Sequence, residues 1–138
     1  MLSLTYLSSA VETFTERQLD ELLDAARVRN EEHEVTGMLL YAGGNFIQTL
    51  EGPADSVDAL FSRIDADPRH FGVFVVRRDD IDQRQFAGWS MGFRRLSSGD
   101  VRKVPGFTDY LDSGRIDGAA ARRHAALTFH RVFREHIT

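Results

Sequence analysis

Residues 35–52 read VTGMLLYAGGNFIQTLEG. Two apolar runs, 35–42 and 45–51, meet at Ala42-Gly43-Gly44-Asn45, whose residues tolerate the positive φ of a tight turn. A β-hairpin is predicted, and the elements on either side fit around it. Upstream, residues 2–8 (LSLTYLS) alternate, with Leu2, Leu4 and Tyr6 on one face and Ser3, Thr5 and Leu7 on the other. That period of two predicts a strand. Thr15-Glu16-Arg17-Gln18 is a capping box, and Phe14 before it is placed to staple onto Leu19. The helix that follows carries Leu19, Leu22, Leu23 and Ala26 along one stripe. Downstream, Pro53 suits the first turn of a second helix with Val57, Leu60, Phe61 and Ile64 on one side, ended by Asp67-Pro68. Residues 71–78 (FGVFVVRR) and 89–96 (WSMGFRRL) give two more strands.

The order β-α-β-β-α-β-β predicts a ferredoxin-like α+β sandwich, a five-stranded mixed sheet with two helices on one face. Gly99, Pro105, Gly106 and Gly114 break residues 97–118 into loops and one short helix. Beyond Gly118, Ala126, Phe129, Phe133 and Ile137 recur at helical spacing. The sheet face away from the first two helices is expected to present Leu7, Leu39, Tyr41 and Ile47, and the C-terminal helix is the available cover. The chain thus divides into a core over 1–96 and an extension over 97–138, within one domain.

Composition narrows the function classes. The chain has 138 residues, 42% hydrophobic and 28% charged, which suits one globular domain rather than disorder. It has no cysteine, which excludes disulfides, thiolate zinc sites and cysteine nucleophiles. No stretch reaches the length of a membrane span and no signal peptide opens the chain, so a cytoplasmic protein is expected. Residues 1–70 hold 5 arginines against 13 acids, while 71–138 hold 12 basic residues against 8 acids. A chain so polarised can self-associate or meet a partner through one pole. Basic runs never exceed two residues, a poor footprint for nucleic acid.

The informative residues are polar ones where apolar ones belong. Phe46, Gln48 and Leu50 share a face of the third strand, and the two apolar neighbours argue that Gln48 is buried. An unpaired buried amide costs about 1–3 kcal/mol. Asn30 extends the apolar stripe of the first helix, or else caps its end. Tyr6 brings a phenol to the same layer, where a backbone carbonyl is its ordinary partner. Trp89, Met91 and Phe93 are expected on one face of the fifth strand. Two amides and a phenol beside an indole and a thioether match the edge of a planar heteroaromatic ligand.

At these residues the chain resembles the BLUF domains, blue-light sensors that bind flavin adenine dinucleotide. The matching stretches are SLTYLSSA at 3–10, AARVRN at 25–30, VTGMLLYAGGNFIQTLEG at 35–52, DPRH at 67–70 and RQFAGWSMGF at 84–93. They span residues 3–93 in family order. The resemblance implies a flavin held non-covalently between the two helices and the sheet, as FAD, with FMN or riboflavin as alternatives. It makes Tyr6 the electron and proton donor, Gln48 the switch, and Asn30 a contact to the pyrimidine edge of the ring. Trp89 and Met91 match the pair that relays the signal, and both positions of Trp89 relative to the flavin stay open. Asp67, Arg69 and His70 match the segment near the ribityl chain, and Arg63 is expected near the flavin. Arg29 departs from the family pattern, which often has Asn or His there. Its guanidinium can donate to the C2 carbonyl or pair with phosphate.

The resemblance further implies a short sensor without a catalytic output domain, signalling through a homodimer, a higher homo-oligomer or a separate downstream protein. The extension serves as structural cover, as a signalling element, or as both. Neither nucleic acid nor a membrane is an expected partner. Two rivals remain: a ferredoxin-like enzyme such as an acylphosphatase-like hydrolase or a heme-degrading monooxygenase, and a colourless protein-interaction module. His70 with Asp67 is the enzyme's acid/base candidate, but no nucleophile candidate sits beside them. His124, His130 and His136 make a poor metal site, because steps of six rotate by about 240° on a helix.

Overall fold

The computed structural model describes residues 1–135, without the side chains of Ser98 and Val101. The predicted order is present: β1 (Leu2–Ala10), α1 (Glu16–Glu32), β2 (Thr36–Ala42), β3 (Asn45–Gly52), α2 (Ala54–Asp65), β4 (His70–Asp80) and β5 (Gly92–Arg95). The sheet runs β4-β1-β3-β2-β5. β3 is antiparallel to both β1 and β2, β4 is antiparallel to β1, and β5 is parallel to β2. Two split βαβ units therefore interlock, each helix crossing over a strand of the other unit. Thr15 caps α1 through the expected box: its hydroxyl accepts from the Gln18 N–H while the Gln18 side chain accepts from the Thr15 N–H.

Both sheet faces are covered by apolar packing. The α1/α2 face packs Leu2, Leu4, Tyr6, Leu39, Tyr41, Phe46, Leu50 and Met91 with Leu19, Leu23 and Val57. On the far face Leu7, Met38, Leu40 and Ile47 meet Ala125, Ala126, Phe129 and Phe133 of the last helix, α5 (Ala119–Glu135). The expected cover is in place, with Ile137 outside the described residues. Before α5 the chain forms two short helices rather than one, α3 (Ser98–Arg102) and α4 (Phe107–Ser113). Gly99 lies inside α3 and hides it from a sequence reading, whereas the Ser97 hydroxyl accepts from the Asp100 N–H at 3.2 Å and starts the turn. Gly92 opens β5 where a Cβ would lie 2.6 Å from the Phe133 ring, so α5 docks against bare backbone there.

Two expectations about faces are corrected. Leu39 and Tyr41 point toward α1 and α2, not toward α5. The turn at Gly43-Gly44 pairs Ala42 with Asn45, which sets Leu39 opposite Gln48 and Tyr41 opposite Phe46. Residues directly opposite in an antiparallel pair share a face. Trp89 and Met91 also lie on different faces. β5 begins only at Gly92, so strand alternation does not extend back to Trp89. There the chain turns, with the Trp89 N–H donating to the Phe86 carbonyl at 3.1 Å and the Trp89 carbonyl accepting from Gly37.

A histidine sits in the outer core. His130 of α5 is fully buried, and burial, then the charges of Arg77 on β4 and Arg134 on α5, hold its pKa down to about 3. An unfolded histidine takes up its proton near pH 6.5. Between the two values the unfolded chain binds more protons, so the stability given by a neutral His130 is lost as pH falls below 6.5. From pH 6.5 to 5 the parent is expected to lose about 2 kcal/mol more than His130→Leu, measured by urea unfolding. Equal losses in the two proteins rule out this burden.

Candidate functional site

Between α1, α2 and the sheet lies a cavity of about 90 Å³, lined by Tyr6, Asn30, Leu39, Gln48, His70 and Met91, among others. Sites for drug-sized ligands run about 300–1,000 Å³, a range this cavity reaches only together with the cleft that adjoins it. Leu22, Leu23 and Ala26 of α1 and Leu60 and Ile64 of α2 give it apolar side walls, and Leu39 and Phe46 belong to its floor. Phe14, Leu22, Arg29 and Arg69 also line a cleft of about 640 Å³ that adjoins it, open toward Gln18, Glu21 and Pro68.

The polar groups converge at the floor. Tyr6 and Gln48 form one rung of the β1–β3 ladder, and the Tyr6 hydroxyl donates to Gln48 Oε1. Gln48 Nε2 then points at Met91 Sδ, 3.5 Å away. A thioether is a weak acceptor, so this amide N–H stays poorly satisfied. Among the described residues Tyr6 is partnered by this amide and not by a backbone carbonyl, the ordinary alternative. Burial, then the charge of Asp67, raises its pKa well above the usual phenol range, so the ground-state phenol keeps its proton at every working pH.

Asn30 turns inward rather than capping its helix. Its Nδ2 donates to the Ser90 carbonyl at 2.7 Å, and its Oδ1 is buried with no partner among the described residues. Arg29 Nε is likewise buried and unpaired beside it. Arg27, which the sequence reading passed over, donates to the Met91 carbonyl at 3.0 Å. Thus α1 grips the backbone of residues 90–91 with two side chains. Glu51, also passed over, is fully buried and accepts from the Gln85 and Phe86 N–H groups at 2.9 and 2.6 Å. It pins the loop that leads to Trp89 and Met91. Its place between Leu50 and Gly52 in a buried strand was the available signal.

At the mouth, Asp67 and Arg69 form a charged pair 2.6 Å apart, and the Arg69 guanidinium holds the Asp67 pKa down to about 2. His70 donates from Nε2 to the Ile64 carbonyl at 2.5 Å, and Nδ1 meets the Ser8 hydroxyl at 2.8 Å. It packs edge-on to both Tyr6 and Phe46. Two expected residues stand apart from the cavity. Arg63 is exposed on α2, in a shallow hollow shared with Arg29 and Asn30. Trp89 is on the far side, stacked on Phe86 and edge-on to Phe133 of α5 at 5.3 Å. His124 is exposed, His130 faces the core, and no group of His, Asp and Glu able to hold a metal ion occurs among the described residues.

The donor set suits one kind of ligand. Apolar walls on both sides, with Asn30 Oδ1 and Arg29 Nε unpaired among the described residues and a poorly satisfied Gln48 amide at the edges, fit a flat tricycle carrying ring nitrogens and carbonyls. The family model described as sensors of blue-light using FAD matches residues 1–92.

The chain belongs to the BLUF family.

It is therefore a blue-light sensor of the flavin-binding kind. This BLUF domain is 39% identical over 90 residues to the photoactivated adenylate cyclase subunit beta of Euglena longa, covering 64% of this chain and 10% of that protein. It is 35% identical over 86 residues to the blue light- and temperature-regulated antirepressor BluF of Escherichia coli, covering 61% of this chain and 21% of the relative. The chain thus spans only a tenth to a fifth of these relatives. Among solved structures, BlrB, a BLUF protein in its dark state, superposes with a TM-score of 0.66 at 37% identity. That match covers 92% of this chain and 96% of BlrB. Klebsiella pneumoniae BlrP1, solved with FMN and cyclic diGMP, gives a TM-score of 0.66 at 31% identity over 98% of this chain and 33% of that one. Among the described residues, no helix of this BLUF domain is long and apolar enough to cross a membrane.

The unpaired Asn30 Oδ1 yields a test of the site. Asn30→Ala is expected to weaken flavin retention about tenfold, since a direct hydrogen bond to a ring is worth about 1.5 kcal/mol. Trp89→Ala, on the other side of the sheet, is expected to change it little. Retention after gel filtration, read from the ratio of visible to protein absorbance, separates the two. Equal loss in both variants removes Asn30 from the site.

Proposed function

We propose that Tyr6 and Gln48 are the photochemical pair of this sensor and that Met91 and Trp89 carry the change outward. The observation that carries the reading is the chain Tyr6 hydroxyl–Gln48 amide–Met91 thioether, closed at one end by a weak acceptor. Bound flavin, excited by blue light, supplies a one-electron oxidant whose absorption responds to hydrogen bonds at its carbonyl edge. Tyr6 gives up the electron to that oxidant and takes it back, with its proton, once Gln48 has rearranged, so the phenol ends in its starting redox state. Its phenol, strongly held in the ground state, becomes acidic on oxidation, and Gln48 Oε1 is the acceptor already bonded to that proton. Gln48 answers by rotating or by changing tautomer. Rotation exchanges Nε2 and Oε1, trading a donor for an acceptor toward Met91 and turning the donor to the other end. Asn30 and Arg29 orient the ring edge, while Asp67, Arg69 and His70 line the mouth toward the ribityl chain. Arg63 guards the side hollow. The ligand is FAD, and FMN fits the same ring contacts.

Met91 and Trp89 are two residues apart on opposite faces of the sheet. A shift of residues 89–91 driven by Gln48 therefore moves the indole against Phe133 of α5. Residues 97–138 form the output side of a cytoplasmic sensor whose core is 1–96. It acts without catalysis of its own, by changing contacts with a second copy or a downstream protein. The test is an absorption spectrum before and after blue light, followed in the dark. A yellow protein whose blue band shifts red and returns is expected; a flavin-free protein that cannot be reconstituted, or a band that never shifts, overturns it.

A further inference from the structure

Helix α5 also reaches the strands that carry Tyr6 and Gln48, by a route that avoids Met91 and Trp89. The rung next to Tyr6–Gln48 is Thr5–Thr49, whose side chains project to the opposite face. The two hydroxyls lie 2.6 Å apart, and Thr49 Oγ1 lies 2.7 Å from His130 Nε2. All three residues are fully buried. Thr5 Oγ1 is itself 3.5 Å from the same ring nitrogen. His130 Nδ1 is buried and has no partner among the described residues. Phe86 stands edge-on to the ring at 5.0 Å, leaving it little freedom to turn.

Such a cluster has two arrangements. A proton on Nε2 sends hydrogen bonds from His130 to Thr49 and on to Thr5. A proton on Nδ1 lets them run from Thr5 to Thr49 to Nε2. Each leaves Nδ1 unpaired, and the far end of the chain with it. In the first Nδ1 lacks a donor and the Thr5 hydroxyl proton lacks an acceptor; in the second Nδ1–H lacks an acceptor and the Thr5 oxygen lacks a donor. Both incur the cost of one donor and one acceptor unsatisfied within the cluster. The two directions are therefore close in energy, and a small change at the strands selects between them. The β1–β4 ladder shifts register between Thr5 and Tyr6, at the link between the two rungs, while the β1–β3 ladder runs unbroken across them and couples one rung to the next.

We propose that His130 is a positioning residue for the light response: the direction of the His130–Thr49–Thr5 hydrogen-bond chain follows the state of the Tyr6–Gln48 rung and transmits it to α5. This rests on the photochemical reading above. Fixing the chain in one direction alters the balance between dark and lit states, so the return to the dark state is the sensitive quantity.

The experiment uses the full flavin-bound chain with ring-15N histidine, followed by NMR in the dark and under blue light, with the His130 signals assigned from His130→Gln. The His130 ring nitrogens are expected to move when the redshift forms and to return with it. Dark recovery in His130→Leu is expected to change about fivefold or more, the effect of one neutral hydrogen bond. His130→Gln, whose amide reaches the Nε2 position, is expected to restore it to within about twofold. A parent that never shifts red defeats the photochemical reading instead. A parent that shifts red while the His130 nitrogens stay fixed overturns the relay, whether or not the variants fold.

Discussion

Gln48→Ala is expected to abolish the reversible light-induced redshift and leave the protein yellow. The amide touches both the Tyr6 hydroxyl and Met91 Sδ, so its removal cuts the chain at its centre. Alanine has nothing to rotate and no donor to present. Tyr6→Phe is expected to give the same spectral outcome by a different failure. It keeps the ring contact with Phe61 at 5.5 Å but removes the hydroxyl and makes the side chain far harder to oxidise. Leaving Gln48 Oε1 unpaired costs about 1–3 kcal/mol, against a typical domain stability of about 5–15 kcal/mol. The variants therefore fold, and the apolar walls with Asn30 and Arg29 still hold flavin. Light-minus-dark difference spectra of the three proteins decide it. A normal redshift in Gln48→Ala refutes the amide switch, and one in Tyr6→Phe removes Tyr6 as the donor.

Why this pair was legible in the sequence, and Trp89 was not, follows from what periodicity measures. Tyr6 lies between Leu4 and Thr5 on one side and Leu7 on the other in a long regular strand, and Gln48 lies between Phe46 and Leu50 in another. A period of two holds along both, so their faces could be read directly. Asn30 was legible for the same reason on a helix, four residues beyond Ala26. Trp89 sits in a turn held by the Phe86 carbonyl, where no period applies. Leu39 was misassigned because a strand buried on both faces shows no alternation, and TGMLLYA is such a strand. Its face is fixed by the hairpin register alone. Glu51 and Arg27 were passed over because their task is to hold backbone 34 and 64 residues away, contacts that no local pattern encodes. His130 is the sharpest case. On the sequence it is one of three histidines on a helix, and only the sheet behind it shows that two threonine hydroxyls face it.

Phe129→Ala is expected to lower stability by about 3–5 kcal/mol, the cost of emptying a fully buried aromatic site. Phe129 is 0% exposed and packs edge-on to Phe107 of α4, so its ring joins α5, α4 and the sheet in one core. In a domain of this size that loss corresponds to a fall in Tm of about 10–20 °C. Leu127, two positions away on the same helix, is 47% exposed, and Leu127→Ala is expected to stay within about 0.5 kcal/mol. The contrast separates packing from helix propensity, since both variants place the same residue in the same helix. Deleting 119–138 is the extreme case. It uncovers Leu7, Met38, Leu40 and Ile47 together, an apolar face that a soluble chain does not leave open, and aggregation is expected. The proposed flavin contacts lie on the other side of the sheet, so colour is expected to survive in whatever remains in solution. Thermal melts of the two point variants, with light scattering of the truncation, measure all three. A monodisperse truncation as stable as the parent shows that α5 is not part of this core, and with it the route from Thr49 through His130 loses its far end.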